Sequence, residues 1–135
     1  MKEMTVDAKL QNIEVLTAFA DAVLEEADCP PKAMMQIDLA IDELITNIAS
    51  YAYAGGEGSA TLQIGIQDEP RCAVLTFVDS GIPYDPTAKE DPDVTRPIEE
   101  RQAGGLGIFL VKKTMDDMQY TYEDGQNILT IKKFF

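Results

Sequence analysis

Apolar residues in the first third of the chain recur with a helical period. Ile13, Leu16, Ala20, Val23 and Ala27 fall on one face, and Phe19 and Leu24 widen the stripe, which predicts an amphipathic helix. It should stop at Asp28-Cys29-Pro30-Pro31, because a residue before proline is pushed out of the α region. Pro31 suits the first turn of a second helix, running from Lys32 to about Tyr53 and closed by the glycines of Ala54-Gly55-Gly56-Glu57-Gly58. The period then changes to two. Ala60, Leu62, Ile64 and Ile66 alternate with Thr61, Gln63, Gly65 and Gln67, a half-buried strand that Asp68-Glu69-Pro70-Arg71 turns back into the more apolar strand Cys72 to Val78. Met4 to Val6 predicts a short edge strand ahead of the first helix.

Beyond Val78 the pattern lapses: residues 79–103 hold four of the seven prolines and many charges without periodicity. A loop of that length, about 80–104, is expected to be a lid or binding loop. Gly104-Gly105-Leu106-Gly107 closes it and opens a third helix, with Ile108, Val111 and Met115 on one face. Two last strands, about 118–123 and 127–133, flank the turn Glu123-Asp124-Gly125-Gln126. The order has no internal repeat and no break in composition, so one domain over residues 1–135 is expected. Its economical packing is α+β, a two-layer α/β sandwich with helices on one face of a mostly antiparallel, mixed sheet. The wide stripe of the first helix fits either core packing or a homodimer interface.

Charge changes this picture. Eleven basic residues against twenty-four acidic ones give a formal charge of −13, with no histidine. Nucleic acid is thereby disfavoured as a partner, since neutralising phosphate needs a surplus of Lys and Arg. Histidine-based triads, metal sites and proton shuttles are excluded. Any anionic ligand needs a local device that reverses the field. Cys29 and Cys72 have neither metal nor redox spacing and read as reduced thiols. The start MKEMTVDAKL lacks an apolar leader and no apolar run is long enough to span a bilayer, so a cytoplasmic protein without membrane contact is expected.

Chemistry has three candidate seats. On the second helix Glu43 and Asn47 lie one turn apart, on a stripe between the core face of Ile37, Ile41, Leu44, Ile45 and Ile48 and a solvent face of Asp38, Asp42 and Thr46. Glu43 suits a general base and Asn47 an oxygen ligand for Mg²⁺ or its water shell, although the same spacing also fits plain surface polarity. At the end of the apolar strand, Asp79-Ser80-Gly81 fits ordinary turn chemistry, or a carboxylate that accepts from a base amino group while Gly81 lets a planar ring approach. At the third helix, Gly104, Gly105 and Gly107 fit a hinge, or a helix start whose backbone donors and dipole hold an anion without any basic surface.

Taken in order, DELITNIASYAY, FVDSGIPYDP and GGLGIFLVKKTMD resemble the N, G1 and G2 boxes of the GHKL ATPases, and more narrowly the small anti-sigma factor serine kinases of the RsbW and SpoIIAB type. The resemblance implies the Bergerat fold with an ATP lid, and ATP with Mg²⁺ as cofactors. It implies Glu43 as catalytic base, Asn47 as the Mg²⁺ ligand, Asp79 and Gly81 at the adenine, and Gly104, Gly105 and Gly107 with the backbone of Leu106 and Ile108 around the phosphates. It further implies two partners, a STAS-domain anti-anti-sigma factor phosphorylated on serine and a sigma factor held by the kinase. The chain departs from that pattern at Pro83, where a second glycine is usual, and at Tyr51, where many relatives carry histidine. It departs again at Gly125-Gln126-Asn127, where a threonine usually reaches adenine through water and Asn127 is placed for a similar contact. Lys89, Arg96 and Arg101 are the loop's candidate cations for the γ-phosphate. The alternative reading is a non-catalytic ATP-binding switch that regulates protein partners without transferring phosphate.

Overall fold

The computed structural model describes residues 1–88 and 105–135. Strand β1 (Lys2–Asp7) leads through a 3₁₀ turn (Leu10–Asn12) into α1 (Ile13–Glu26), and α2 (Pro31–Asn47) runs on into a π-helical turn (Ile48–Ala52). The hairpin β2 (Ser59–Gln67) and β3 (Cys72–Asp79) follows, and then α3 (Gly105–Thr114) and the hairpin β4 (Asp117–Glu123) and β5 (Gln126–Phe134). The strands form one sheet in the order β1-β2-β3-β5-β4, and each neighbouring pair is antiparallel.

The core follows from the two periods. Register puts Leu62 opposite Phe77 and Phe77 opposite Leu129, with Ile64, Leu75 and Ile131 in the next row, so the inward residues of three strands make one apolar surface. Against it pack Leu16, Ala20 and Leu24 of α1, Ile37, Ile41, Leu44 and Ile45 of α2, and Ile108 and Val111 of α3. The wide stripe of α1 is used here, because Ile13, Phe19 and Val23 also lie against this cluster. On the other face of the sheet, Thr76 and Thr130 share a hydrogen bond of 3.2 Å, and Thr5 and Thr61 one of 2.7 Å.

Two differences from the sequence reading bear on the site. The second helix was expected to stay regular to about Tyr53, but its α-helical bonding ends at Asn47 and the last turn is π-helical. Such a turn carries an extra residue and re-aims the side chains after it, and π-turns concentrate at functional sites. Asp38 was expected to face solvent, yet it is half-buried against Asp21 of α1. Burial first, and then the facing carboxylate of Asp21, push the Asp38 carboxyl up to about 7. Cys29 and Cys72 are buried and free, in accord with reduced thiols.

Candidate functional site

Among the described residues the buried polar side chains are Asp79, 7% exposed, and Asn127, 6% exposed. They sit opposite each other across β3 and β5, at the strand ends nearest the C-terminal turns of α2. The alternation that buries Leu129 and Ile131 forces Asn127 inward as well, and the one that buries Leu75 and Phe77 forces Asp79 inward. Two polar groups are thus delivered to the end of an apolar sheet face, where they must find partners.

Asp79 Oδ1 accepts from the Gly81 backbone N–H at 2.9 Å, an Asx turn, and from Asn127 Nδ2 at 2.9 Å. Asn127 Nδ2 also donates to the Ile82 carbonyl at 2.8 Å, while Asn127 Oδ1 accepts from the Tyr84 N–H at 3.1 Å and from the Tyr120 hydroxyl. Burial is the largest influence on that hydroxyl and raises its pKa, so Tyr120 stays a donor at neutral pH. The chain leaving β3 is therefore fastened to β4 and β5. On its other side it touches the π-turn, where the Ile82 N–H bonds the Ala52 carbonyl at 2.8 Å. A Cβ on Gly81 would stand 2.2 Å from that oxygen. Gly81 was expected to admit a ring; the approach that demands glycine in this structure is that of the Ala52 backbone. Pro83 is exposed between two inward-donating neighbours, so its missing N–H removes none of these bonds.

Asp79 and Asn47 line the same apolar cleft, with Phe77 and Leu129 from the sheet and Tyr51 and Tyr84 at 6.4 Å between ring centroids. The cleft opens to solvent and holds about 40 Å³, room for a few waters. Asn47 Nδ2 is buried and has no hydrogen-bond partner among the described residues. An orphaned carboxamide at a cleft is a costly arrangement that a polar ligand would relieve.

Glu43, one turn before Asn47, is held against α3. A Cβ on Gly107 would stand 2.1 Å from its carboxylate carbon and from Oε2, so the base expected from the sequence rests in the space that Gly107 leaves open. Gly105, Leu106, Gly107 and Ile108 form the first turn of α3, whose backbone N–H groups have no partners within the helix and carry its positive dipole end. The side chain of Ile108 is in the core. Gly104 and the candidate cations Lys89, Arg96 and Arg101 lie outside the described residues, as does the expected lid beyond Ala88. Among the described residues no three His, Cys, Asp or Glu side chains gather as metal ligands, and no helix is long and apolar enough to cross a membrane. An oxygen from Asn47 fits Mg²⁺ nonetheless, because that ion takes few protein ligands and keeps waters and phosphate oxygens for the rest.

Residues far apart in the sequence converge: Asp79 shares a cleft with Asn47, and Glu43 abuts Gly107. The sequence reading missed Tyr84 and Tyr120, and it aimed Asn127 at a ligand where the structure aims it at Asp79. The available signal was a polar residue at an inward position of an otherwise apolar alternation.

Residues 6–133 match the sequence signature of the histidine kinase-like ATPase domain family. A serine-protein kinase RsbW of Bacillus cereus is 27% identical over 134 residues, covering 96% of this chain and 82% of that protein. A serine-protein kinase RsbW of Bacillus anthracis is likewise 27% identical, with the same coverage. Among solved structures, the RsbU and RsbW domains of a Mycobacterium tuberculosis protein superpose with a TM-score of 0.62 at 13% identity, over 99% of this chain and 33% of that one. The histidine kinase domain of a blue-light activated histidine kinase from Erythrobacter litoralis gives 0.55 at 17% identity, over 90% of this chain and 59% of that one. The chain therefore spans about a third of the first of these structures and somewhat over half of the second.

Proposed function

Because the chain belongs to the histidine kinase-like ATPase domain family, we propose that it is an ATP-dependent serine kinase whose protein substrate is a STAS-domain anti-anti-sigma factor and whose second partner is a sigma factor. The observation that carries this reading is the contact of the Glu43 carboxylate with Gly107 at the start of α3, one turn from Asn47 and beside the cleft of Asp79. A kinase needs a base where the γ-phosphate lies, and a helix start is where backbone donors hold that phosphate. The curated relatives, named serine-protein kinases, support serine as the acceptor.

Each residue then has a task. Asp79 accepts a hydrogen bond from the exocyclic amine of adenine, and the apolar walls exclude water from the ring. The first turn of α3, with Gly104 before it, donates backbone N–H groups to the phosphates. Asn47 contributes an oxygen ligand to Mg²⁺, which when bound neutralises charge on the phosphate oxygens. Glu43 takes the proton of the serine hydroxyl as the Oγ–P bond forms and the bond from the γ-phosphorus to the bridging oxygen of ADP breaks. For a chain of charge −13 the phosphate is met by backbone and metal instead of by a basic surface.

Incubating the purified protein with Mg-ATP and a STAS-domain protein encoded beside it tests the reading. Phosphoserine on the STAS protein by mass spectrometry, together with ADP release, is expected. ATP bound but phosphate never transferred would leave the regulatory switch as the better account.

A further inference from the structure

The groups around the Asn127 carboxamide decide which way it points. Asn127 meets two acceptors on one side, Asp79 Oδ1 at 2.9 Å and the Ile82 carbonyl at 2.8 Å, and two donors on the other, the Tyr84 N–H at 3.1 Å and the Tyr120 hydroxyl. Since of these groups only the Tyr120 hydroxyl can both donate and accept, turning the amide over would set like against like at three of the four contacts. Its main hydrogen-bonding positions are used within the protein, so Asn127 has little left to offer a ligand. The effect on Asp79 is specific. Its Oδ1 already accepts from Gly81 and Asn127, whereas Oδ2 has no hydrogen-bond partner among the described residues.

We propose that Asn127 is a positioning residue for base recognition: it clamps Asp79 by one oxygen, leaving the other as a fixed single acceptor for the exocyclic amine of adenine, and ties the root of the loop at Ile82 and Tyr84 to β5. This rests on the reading of the cleft as an adenine site. The wall then presents an acceptor and no donor, which suits an amine and rejects a guanine carbonyl at the same place.

Substitution of Asn127 by aspartate keeps the shape and turns the clamp into a repulsion. Two carboxylates then face each other, and the ionisable groups around them among the described residues are Tyr51, Tyr84, Asp85, Tyr120 and Tyr122, with no cation. A proton shared by the pair restores a donor to Asp79. The test is isothermal titration of the full chain with ADP at about pH 8 and about pH 6, each variant compared with wild type at the same pH. Asn127→Asp is expected to bind at least about tenfold more weakly at the higher pH and to recover at least about threefold of that at the lower one. Simple loss of packing would give the same deficit at both. Asn127→Ser, which keeps a hydroxyl donor but cannot span both Asp79 and Ile82, is expected to lose roughly three- to tenfold at either pH. Wild-type affinity in both variants overturns the proposal, and so does an Asn127→Asp deficit that ignores pH. Should Asn127→Asp fail to melt cooperatively, Asn127→Ser decides alone, with unchanged ADP affinity overturning the clamp. A wild-type protein that binds no ADP is a different failure, one that removes the nucleotide reading itself.

Discussion

Replacing Gly107 by alanine separates catalysis from folding. The added methyl would stand 2.1 Å from the Glu43 carboxylate, where real Cβ contacts essentially never fall below 3.0 Å, so one of the two must move by about 1 Å. The obstructing atoms are the far end of a flexible side chain, so the carboxylate yields before the backbone does. Forcing Glu43 off its rotamer costs about 0.5–1.5 kcal/mol, and alanine in a helix returns up to about 1 kcal/mol relative to glycine. Net stability should change by less than about 1 kcal/mol. Catalysis should not be so forgiving, because a misplacement of about 1 Å at a reacting group is worth roughly 100-fold. Single-turnover transfer at saturating ATP is therefore expected to fall roughly 100-fold, with the melting temperature moving by only a few degrees. If the methyl acts through Glu43, the double variant with Glu43→Ala should be no slower than Glu43→Ala alone. A Gly107→Ala protein with the wild-type transfer rate would refute the reasoning, as would a double variant far slower than either single one.

The same substitution at Gly81 should behave oppositely: its Cβ would stand 2.2 Å from the Ala52 carbonyl oxygen, which is backbone and cannot swing away. Gly81→Ala is expected to destabilise by about 1–3 kcal/mol in urea unfolding, and a loss below about 0.5 kcal/mol would contradict the packing. Asp79→Asn turns a lone acceptor into an amide that sets donors against an amine, and should weaken ADP binding about 10- to 100-fold by titration; unchanged affinity would place the base elsewhere. Asp38 has a carboxyl raised from 3.8 to about 7, so the folded state favours its neutral form, and the stability this contributes is present below about pH 4 and lost as pH rises to about 7. Asp38→Asn, neutral throughout, should therefore be more stable than wild type at about pH 8, by on the order of 1 kcal/mol after allowing for the pair's solvent exposure, with the advantage gone near pH 4. An advantage that does not vary with pH would dismiss the Asp21–Asp38 pair as its cause.

How much of this was legible in the sequence depended on how local its cause was. Alternation of two and of 3.6 residues located β2, β3, β5 and the core faces of the helices, because burial on a single face imposes those periods wherever it occurs. The π-turn at Ile48–Ala52 was not legible, since the residues there continue a helical pattern and only their contact with Gly81 and Ile82 makes the extra residue useful. Asp38 looked solvent-facing on a helical wheel drawn for one helix, but a wheel does not show where α1 lies. The three motifs pointed to Glu43, Asn47, Asp79 and the glycines of α3, yet what Gly81 and Gly107 make room for, an Ala52 carbonyl and a Glu43 carboxylate, is a long-range approach that only the fold creates. Asn127 was visible as a polar residue at an inward position. Its partner across the sheet could not be read before the strand order was known.

The central claim, that Glu43 is the base of a serine kinase, meets its most direct test in one comparison: transfer of labelled γ-phosphate to a STAS-domain protein by wild type and by Glu43→Ala, with ADP affinity measured on the same preparations. Transfer by wild type is expected, with a loss of about 100-fold or more in Glu43→Ala at unchanged ADP affinity. A Glu43→Ala protein that transfers phosphate at the wild-type rate would contradict the account.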